Sequence, residues 1–379
     1  MIYFDNAATT KIHESILEAM LPWLTNNFGN ASSIYSLGRQ ARVAIEEARN
    51  EIAAAIGAHP AELIFTSGGT ESNNTILKSC LQESSLSKSL AVSAVEHHAV
   101  LHPAEALEQS GVPVTIIPVN SLGNIDLHFT QQAATNNALV SIMHANNETG
   151  IIQPIRAIKE SLPENALLHT DAVQSLGKIQ VNVQDLLVDF LTISAHKIHG
   201  PKGIGAMFIR KGIDFKAHQQ GGGQERNRRA GTESPALIVG FQVAVRNAIA
   251  ELESSAKHMR SLQNTMRTLI MQHLPDARIN TPNDESQCLP SILNVSFPHE
   301  GTMDGEAILQ MMDIQGIAVS NGSACVSGSP QPSHVLKAMG LPDNEAKAAV
   351  RFSFSKDNQE HEVVRAVEVL VDIINGMKN

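Results

Sequence analysis

The stretch Ser194-Ala195-His196-Lys197-Ile198-His199-Gly200-Pro201-Lys202-Gly203 follows the apolar run Phe190-Leu191-Thr192-Ile193 and precedes a second one, Ala206-Met207-Phe208-Ile209. Short apolar runs bounded by Gly and Pro read as buried strands, so the stretch between them is a glycine-rich loop at a strand end. Lys197 then sits at the mouth of a strand, between two histidines and among small residues. It is either an ordinary loop charge or a lysine poised for Schiff-base chemistry with an aldehyde, since burial and neighbouring cations lower a lysine pKa.

Working outward, short apolar segments alternate with amphipathic ones between about residues 40 and 250. The candidate strands are 62–66, 89–93, 114–118, 139–144, 167–170, 190–194 and 206–210, with helices at 39–56, 72–81 and 99–109. This rhythm predicts an α/β fold with a largely parallel sheet. A long helical pattern from 237 to 273 carries the chain onward. Two further strand candidates, 292–297 and 350–355, lie among helices and predict a smaller α+β domain.

Bulk composition excludes several classes. The net charge of −10 gives no electrostatic case for nucleic acid, and Arg226, Arg228 and Arg229 form the one short basic run. That run is a solvated loop, an anion site or a partner surface. Cys80, Cys288 and Cys325 are too few for a disulfide framework, which fits a reducing compartment. Neither a secretory signal nor an apolar run of membrane-spanning length is present, so a cytoplasmic protein away from membranes is expected.

Candidate chemistry gathers at strand ends, where open α/β sheets bind ligands. In Phe65-Thr66-Ser67-Gly68-Gly69-Thr70-Glu71-Ser72 a strand meets two glycines and then a helix, a phosphate cradle or simply a capped turn. It matches neither common nucleotide fingerprint. Asp171, in His169-Thr170-Asp171-Ala172-Val173-Gln174, either holds a pyridine nitrogen protonated or caps a helix, and Gln174 is a candidate partner for a ring oxygen. His97 suits stacking on an aromatic ring and proton transfer. His97, His98 and His102 could instead suggest a metal, but adjacent histidines lack the i, i+4 spacing of a helical pair and no Cys or carboxylate set completes a site, so no resident metal is expected. Cys325 lies in Ser320-Asn321-Gly322-Ser323-Ala324-Cys325-Val326-Ser327-Gly328-Ser329, whose small residues argue against a core cysteine and for a travelling thiolate. In Val350-Arg351-Phe352-Ser353-Phe354 the alternation turns Arg351 away from a core, toward a carboxylate ligand or a surface ion pair.

In family order, these motifs resemble the cysteine desulfurases, pyridoxal-phosphate enzymes of the class V aminotransferase family. The resemblance runs from Tyr3-Phe4-Asp5-Asn6-Ala7-Ala8-Thr9-Thr10 through Phe28-Gly29-Asn30 and Gly221-Gly222-Gly223-Gln224-Glu225-Arg226 to Arg351. The Gly322–Cys325 segment is similar to the long-loop, nitrogen-fixation type associated with iron–sulfur cluster assembly. The resemblance implies a fold-type I transferase with a seven-stranded sheet. A large domain over residues 13–252 would bind the cofactor. Residues 1–12 and 253–379 would form a small one carrying the cysteine loop and Arg351.

It also implies roles. Lys197 holds pyridoxal 5'-phosphate and moves protons, Asp171 pairs with the pyridine nitrogen, Gln174 with the ring oxygen, and His97 stacks on the ring. Gly69, Thr70, Ser194 and His196 bind the phosphate, with Thr232 from the other subunit of a homodimer. Asn146 and Arg351 bind the carboxylate of L-cysteine. Cys325 takes the sulfur as a persulfide, leaving L-alanine, and passes it to an acceptor protein; transient iron–sulfur ligation would also fall to Cys325. The alternatives are a selenocysteine lyase, another class V aminotransferase-type enzyme, or a scaffold without activity.

Overall fold

The computed structural model describes residues 1–83, 86–134, 138–298, 303–322 and 332–378. In chain order the strands are β1 (Ile2–Tyr3), β2 (Leu63–Thr66), β3 (Ser89–Ser93), β4 (Val114–Ile117), β5 (Ala138–Ser141) and β6 (Leu167–Asp171). They continue with β7 (Phe190–Ser194), β8 (Gly205–Ile209), β9 (Arg278–Ile279), β10 (Ile292–Ser296), β11 (Ile317–Ala318) and β12 (Ala349–Ser353). Strands β2 to β8 form one seven-stranded sheet, ordered β2-β8-β7-β6-β5-β3-β4. All its pairings are parallel except those of β8, which runs opposite to both β2 and β7. The α/β class expected from the alternating segments is the observed one, and each of the seven candidate strands is found within a few residues of its expected span.

The reversal of β8 brings three strand ends to one corner of the sheet. Its first residue, Gly205, pairs with the last residues of both neighbours, Thr66 of β2 and Ser194 of β7. A Cβ on Gly205 would stand 2.6 Å from the Ile193 carbonyl oxygen and 2.8 Å from Gly68 Cα. Only glycine lets the three ends meet there.

Four α-helices lie before residue 110 among the described residues: α1 (Glu14–Thr25), α2 (Ser36–Ala55), α3 (Gly69–Lys78) and α4 (His98–Gln109). Helix α2 buries Ala41, Ala44, Ile45, Ala48 and Ile52, a stripe at helical spacing, against one face of the sheet. The opposite face is covered by a cluster that includes Ile64, Ile76, Leu90 and Val100. A separate core gathers Phe4, Met259, Leu293, Val350, Phe352, Phe354 and Ile374 around the antiparallel sheet β12-β10-β9. Strands β1 and β11 pair beside it.

The long helical pattern is two helices, Pro235–Ala250 and Leu252–His273, bent by 72°. No proline makes the break. The first buries Ile238, Phe241 and Val245 in the large-sheet core, and the second buries Met259, Leu262 and Met266 in the other. One straight rod has one apolar stripe and cannot face both cores, so the chain turns at Glu251. Among the described residues no single helix is long and apolar enough to cross a membrane.

The basic run is tied down within the protein. Glu225, Arg226 and Asn227 all take left-handed backbone, with φ of 44°, 57° and 62°, at about 1–2 kcal/mol per residue. Holding that turn, Arg49 Nη1 and Nη2 donate to the two Glu225 carboxylate oxygens, each at 2.8 Å, and Glu225 also accepts Phe65 N. Arg226 donates to the Pro60 carbonyl and Arg229 pairs with Glu71, so neither is a free loop charge. Arg49→Ala would leave Glu225 buried without its cation. We expect a loss of about 3–5 kcal/mol, read as a lower thermal unfolding midpoint; an unchanged midpoint would mean the pair does not hold the turn.

Candidate active site

A cavity of about 550 Å³ opens at the C-terminal edge of the large sheet. Its lining joins Gly69, Thr70, His97, Asp171, Gln174, Ser194, His196, Lys197 and Arg351, residues that lie far apart in the chain. Parallel register explains the meeting: Asp171 pairs with Thr192 two residues before the end of β7, so Asp171, Ser194 and the turn after Thr66 share one edge.

Lys197 follows β7 in a single 3-10 turn. Its Nζ donates to the carbonyl oxygens of Ala7 and Ala8, at 2.5 and 2.7 Å. Among the described residues no carboxylate hydrogen-bonds to Nζ beside those two contacts. Burial and the field of Arg351 pull its pKa down to about 8, so a substantial neutral fraction exists near neutrality. His196, beside it, is lowered to about 4 by burial, Lys197 and Lys202, and is a neutral imidazole.

Asp171 ends β6 and accepts Asn73 Nδ2 at 2.6 Å and Val173 N at 2.9 Å. The helix-cap alternative does not hold, since the residues after it form turns. Gln174 Nε2 donates to the Ala7 carbonyl at 2.9 Å. His97 caps α4, its Nδ1 accepting Ala99 N at 3.0 Å, and burial lowers its pKa. In the neutral ring the proton is therefore on Nε2.

At the other end of the cavity, α3 starts at Gly69. Its cap residue is Gly68, which has no side chain to occupy the first N–H groups. The space is tight, as a Cβ on Gly69 would lie 2.9 Å from Val173 Cγ2. Uncapped N–H groups with Thr70, Ser194 and His196 nearby make an anion cradle.

Arg351, on β12, is buried. Its Nη1 donates to the Asn147 carbonyl at 2.9 Å and its Nη2 to Asp5 Oδ1 at 2.8 Å, while Nε has no partner among the described residues. Val350 and Phe352 face the smaller core, as the alternation requires.

Two expected site residues lie elsewhere. Asn146 is fully buried and does not line the cavity. Its Nδ2 donates to the Val95 carbonyl, and its Oδ1 accepts from Glu148 N, Thr149 N and Thr149 Oγ1. With its Nδ2 donating to Val95 and its Oδ1 holding its own turn, this buried amide does not present itself to a substrate carboxylate, and Asn146 takes a supporting place behind the wall. Thr232 is exposed and outside this cavity. Cys325 falls outside the described residues, although Gly322, just before it in sequence, lines the cavity.

Several lining residues were not singled out from the sequence. Asn73 is one turn along α3 from Thr70 and was legible by that spacing. Glu148 and His334 carried no local signal. His334 stacks near His98, ring centroids 4.7 Å apart, and His98 on His102 at 4.8 Å.

The Aminotransferase class-V family matches residues 2–365. The chain belongs to this family, among its cysteine desulfurases. It is 43% identical to a protein named cysteine desulfurase IscS from Dictyoglomus turgidum, over all of this chain and 95% of that one. Among solved structures, a NifS-like protein superposes with a TM-score of 0.91 at 36% identity, covering 99% of both chains. SspA in complex with cysteine superposes at 0.81 and 35%, covering 93% of this chain and 99% of that one. The protein is therefore a pyridoxal-phosphate-dependent enzyme on the fold-type I framework.

The residues present fit that group: a buried amine for the aldehyde, a carboxyl for the ring nitrogen, and an uncapped helix start with hydroxyls for the phosphate. Aldehyde capture needs the neutral amine, so in cofactor-free protein the rate of pyridoxal-phosphate uptake should rise with pH and level off above about 8. Arg351→Met removes a cation that lowers the Lys197 pKa and frees Asp5, which raises it; both move the inflection upward. Absorbance-monitored uptake from pH 6 to 10 checks this, and an inflection near 10 in the parent protein would contradict it.

Proposed function

We propose that this enzyme converts L-cysteine to L-alanine and retains the sulfur on Cys325 as a persulfide. The observation that carries the reading is the convergence of Lys197, Asp171, His97 and Arg351 on one cavity that Gly322 also lines. The substrate class is supported by the relative whose structure holds cysteine.

Bound pyridoxal phosphate would supply an electron sink, accepting the pair released when bonds to the substrate α-carbon break. Lys197 would hold it and, with its pKa drawn down to about 8, would move protons to and from the substrate carbons. Asp171, fixed by Asn73 and the Val173 N–H, would pair with the ring nitrogen. Gln174 keeps its second amide N–H for the ring oxygen. His97 would stack on the ring, with its Nε2–H free to donate a hydrogen bond toward the substrate. Gly69, Thr70, Ser194 and His196 take the phosphate, joined by exposed Thr232 from a second copy in a homodimer.

Arg351 would bind the substrate carboxylate through N–H groups that Asn147 and Asp5 leave unused. The Cys325 thiolate attacks the substrate sulfur: an S–S bond forms, the carbon–sulfur bond breaks, and the carbon keeps the electron pair and is protonated. No external oxidant is needed, because the carbon is reduced as the sulfur is oxidised. The persulfide then passes to a thiol of an acceptor protein. Iron–sulfur cluster assembly is the destination we infer, in keeping with the relative named cysteine desulfurase IscS from Dictyoglomus turgidum; the cytoplasm is inferred from the sparse cysteines.

The test is mass spectrometry after L-cysteine is added without reductant, with alanine measured in parallel, for the parent and Cys325→Ala. A sulfur adduct on Cys325 is expected, with alanine lost in the variant. Equal alanine from both would reassign the sulfur acceptor and favour lyase chemistry.

A further inference from the structure

Glu148 is buried on the cavity wall, 2 % exposed, yet the proposed reaction gives it no role. Its contacts point to the chain on either side of Cys325. On one side, Ser333 Oγ donates to Glu148 Oε2 at 2.5 Å while accepting Leu336 N at 3.1 Å. The hydroxyl that caps the helix His334–Ala338 is thus anchored on this carboxyl.

On the other side, Gly322 packs directly against it. A Cβ at Gly322 would stand 2.9 Å from both Glu148 Cγ and Oε2, and its φ of +90° also requires glycine. Gly322 N donates to Ser320 Oγ at 3.1 Å, and Ser320 exchanges backbone hydrogen bonds with Arg351. The turn that bears Glu148 is itself fixed by Asn146, whose Oδ1 accepts from Glu148 N and Thr149. One side chain on a braced turn therefore touches residues 322 and 333, and Cys325 lies between them in sequence.

We propose that Glu148 is a positioning residue that pins both ends of the segment carrying Cys325 and so fixes where its thiol is delivered. Chain held at two points samples far fewer arrangements than chain free at either. Glu148 touches neither substrate nor cofactor in this role. The proposal rests on the reading of Cys325 as the sulfur acceptor.

The holoenzyme tests it through steady-state alanine formation and the absorbance change on mixing with L-cysteine. Glu148→Ala should lower kcat about tenfold with KM changed less than about twofold, and the absorbance change should keep its parental rate. Glu148→Gln retains the shape and an acceptor oxygen for Ser333, and should recover most of the loss. Ser333→Ala should lower kcat about threefold, and the double variant with Glu148→Ala should be no slower than Glu148→Ala alone, since both act through one contact.

A parental kcat in Glu148→Ala overturns the proposal, as do losses that multiply in the double variant or a KM and absorbance change that weaken alongside kcat. Should Glu148→Ala fail to fold, a parental kcat in Ser333→Ala overturns it alone. Cys325→Ala is run beside them: if it still makes alanine, the sulfur-acceptor reading itself falls, a result distinct from an intact Glu148→Ala.

Discussion

Two main-chain carbonyls govern this site. The ammonium of Lys197 is met by the oxygens of Ala7 and Ala8, where a buried lysine more often finds a carboxylate. Carbonyl dipoles satisfy its N–H groups without repaying the desolvation of a full charge, so the neutral amine is within reach. Those oxygens belong to a segment stitched to both halves of the molecule. Asp5 pairs with Arg351, Asn6 Nδ2 and Ala7 N reach Ser353, and Thr10 donates to the His196 carbonyl. Phe4 meanwhile sits in the smaller core, edge-on to Phe354 at 5.4 Å. The first ten residues therefore set the distance between the reactive amine and Arg351.

The large sheet supplies the other fixed frame. Reversing β8 puts Gly205 at the same edge as the ends of β2 and β7, so the turn at Gly68 can drop close to Ser194. Had β8 been parallel, its C-terminal residue would occupy that corner and α3 would have to start farther out. The anion cradle is thus a consequence of strand direction as much as of the glycines.

Much of the site is legible in the sequence. The strand at Phe190–Ser194 and the loop that presents Lys197 follow from apolar runs and punctuation, which are local properties. Gly69, Thr70, Asp171 and Gln174 were legible because strand ends collect ligands whatever the partner strands are. What escaped was non-local. Nothing near Ala7 or Ala8 announces that their carbonyls cap a lysine 190 residues on. Asn146 has the residue type of a ligand, and only tertiary packing shows its amide spent on a turn. The bend at Glu251 has no breaker residue; two separate cores cause it. Glu148 reads as one acidic residue in a polar loop until the fold brings Gly322 and Ser333 onto it.

The charge pattern around the cavity follows from burial more than from pairing. Desolvation lowers the pKa values of His97, His144 and His196, which leaves their imidazoles neutral, and lifts Glu96 well above the carboxylate range. Against so many neutralised groups, Arg351 stands out as a cation that cannot be neutralised. Asp5 answers part of its charge, and the Asn147 carbonyl one more N–H, yet Nε keeps no acceptor among the described residues. A buried donor left so costs about 1–3 kcal/mol. The guanidinium on the described wall of the cavity is thus a cation whose hydrogen-bonding capacity the fold leaves partly unspent.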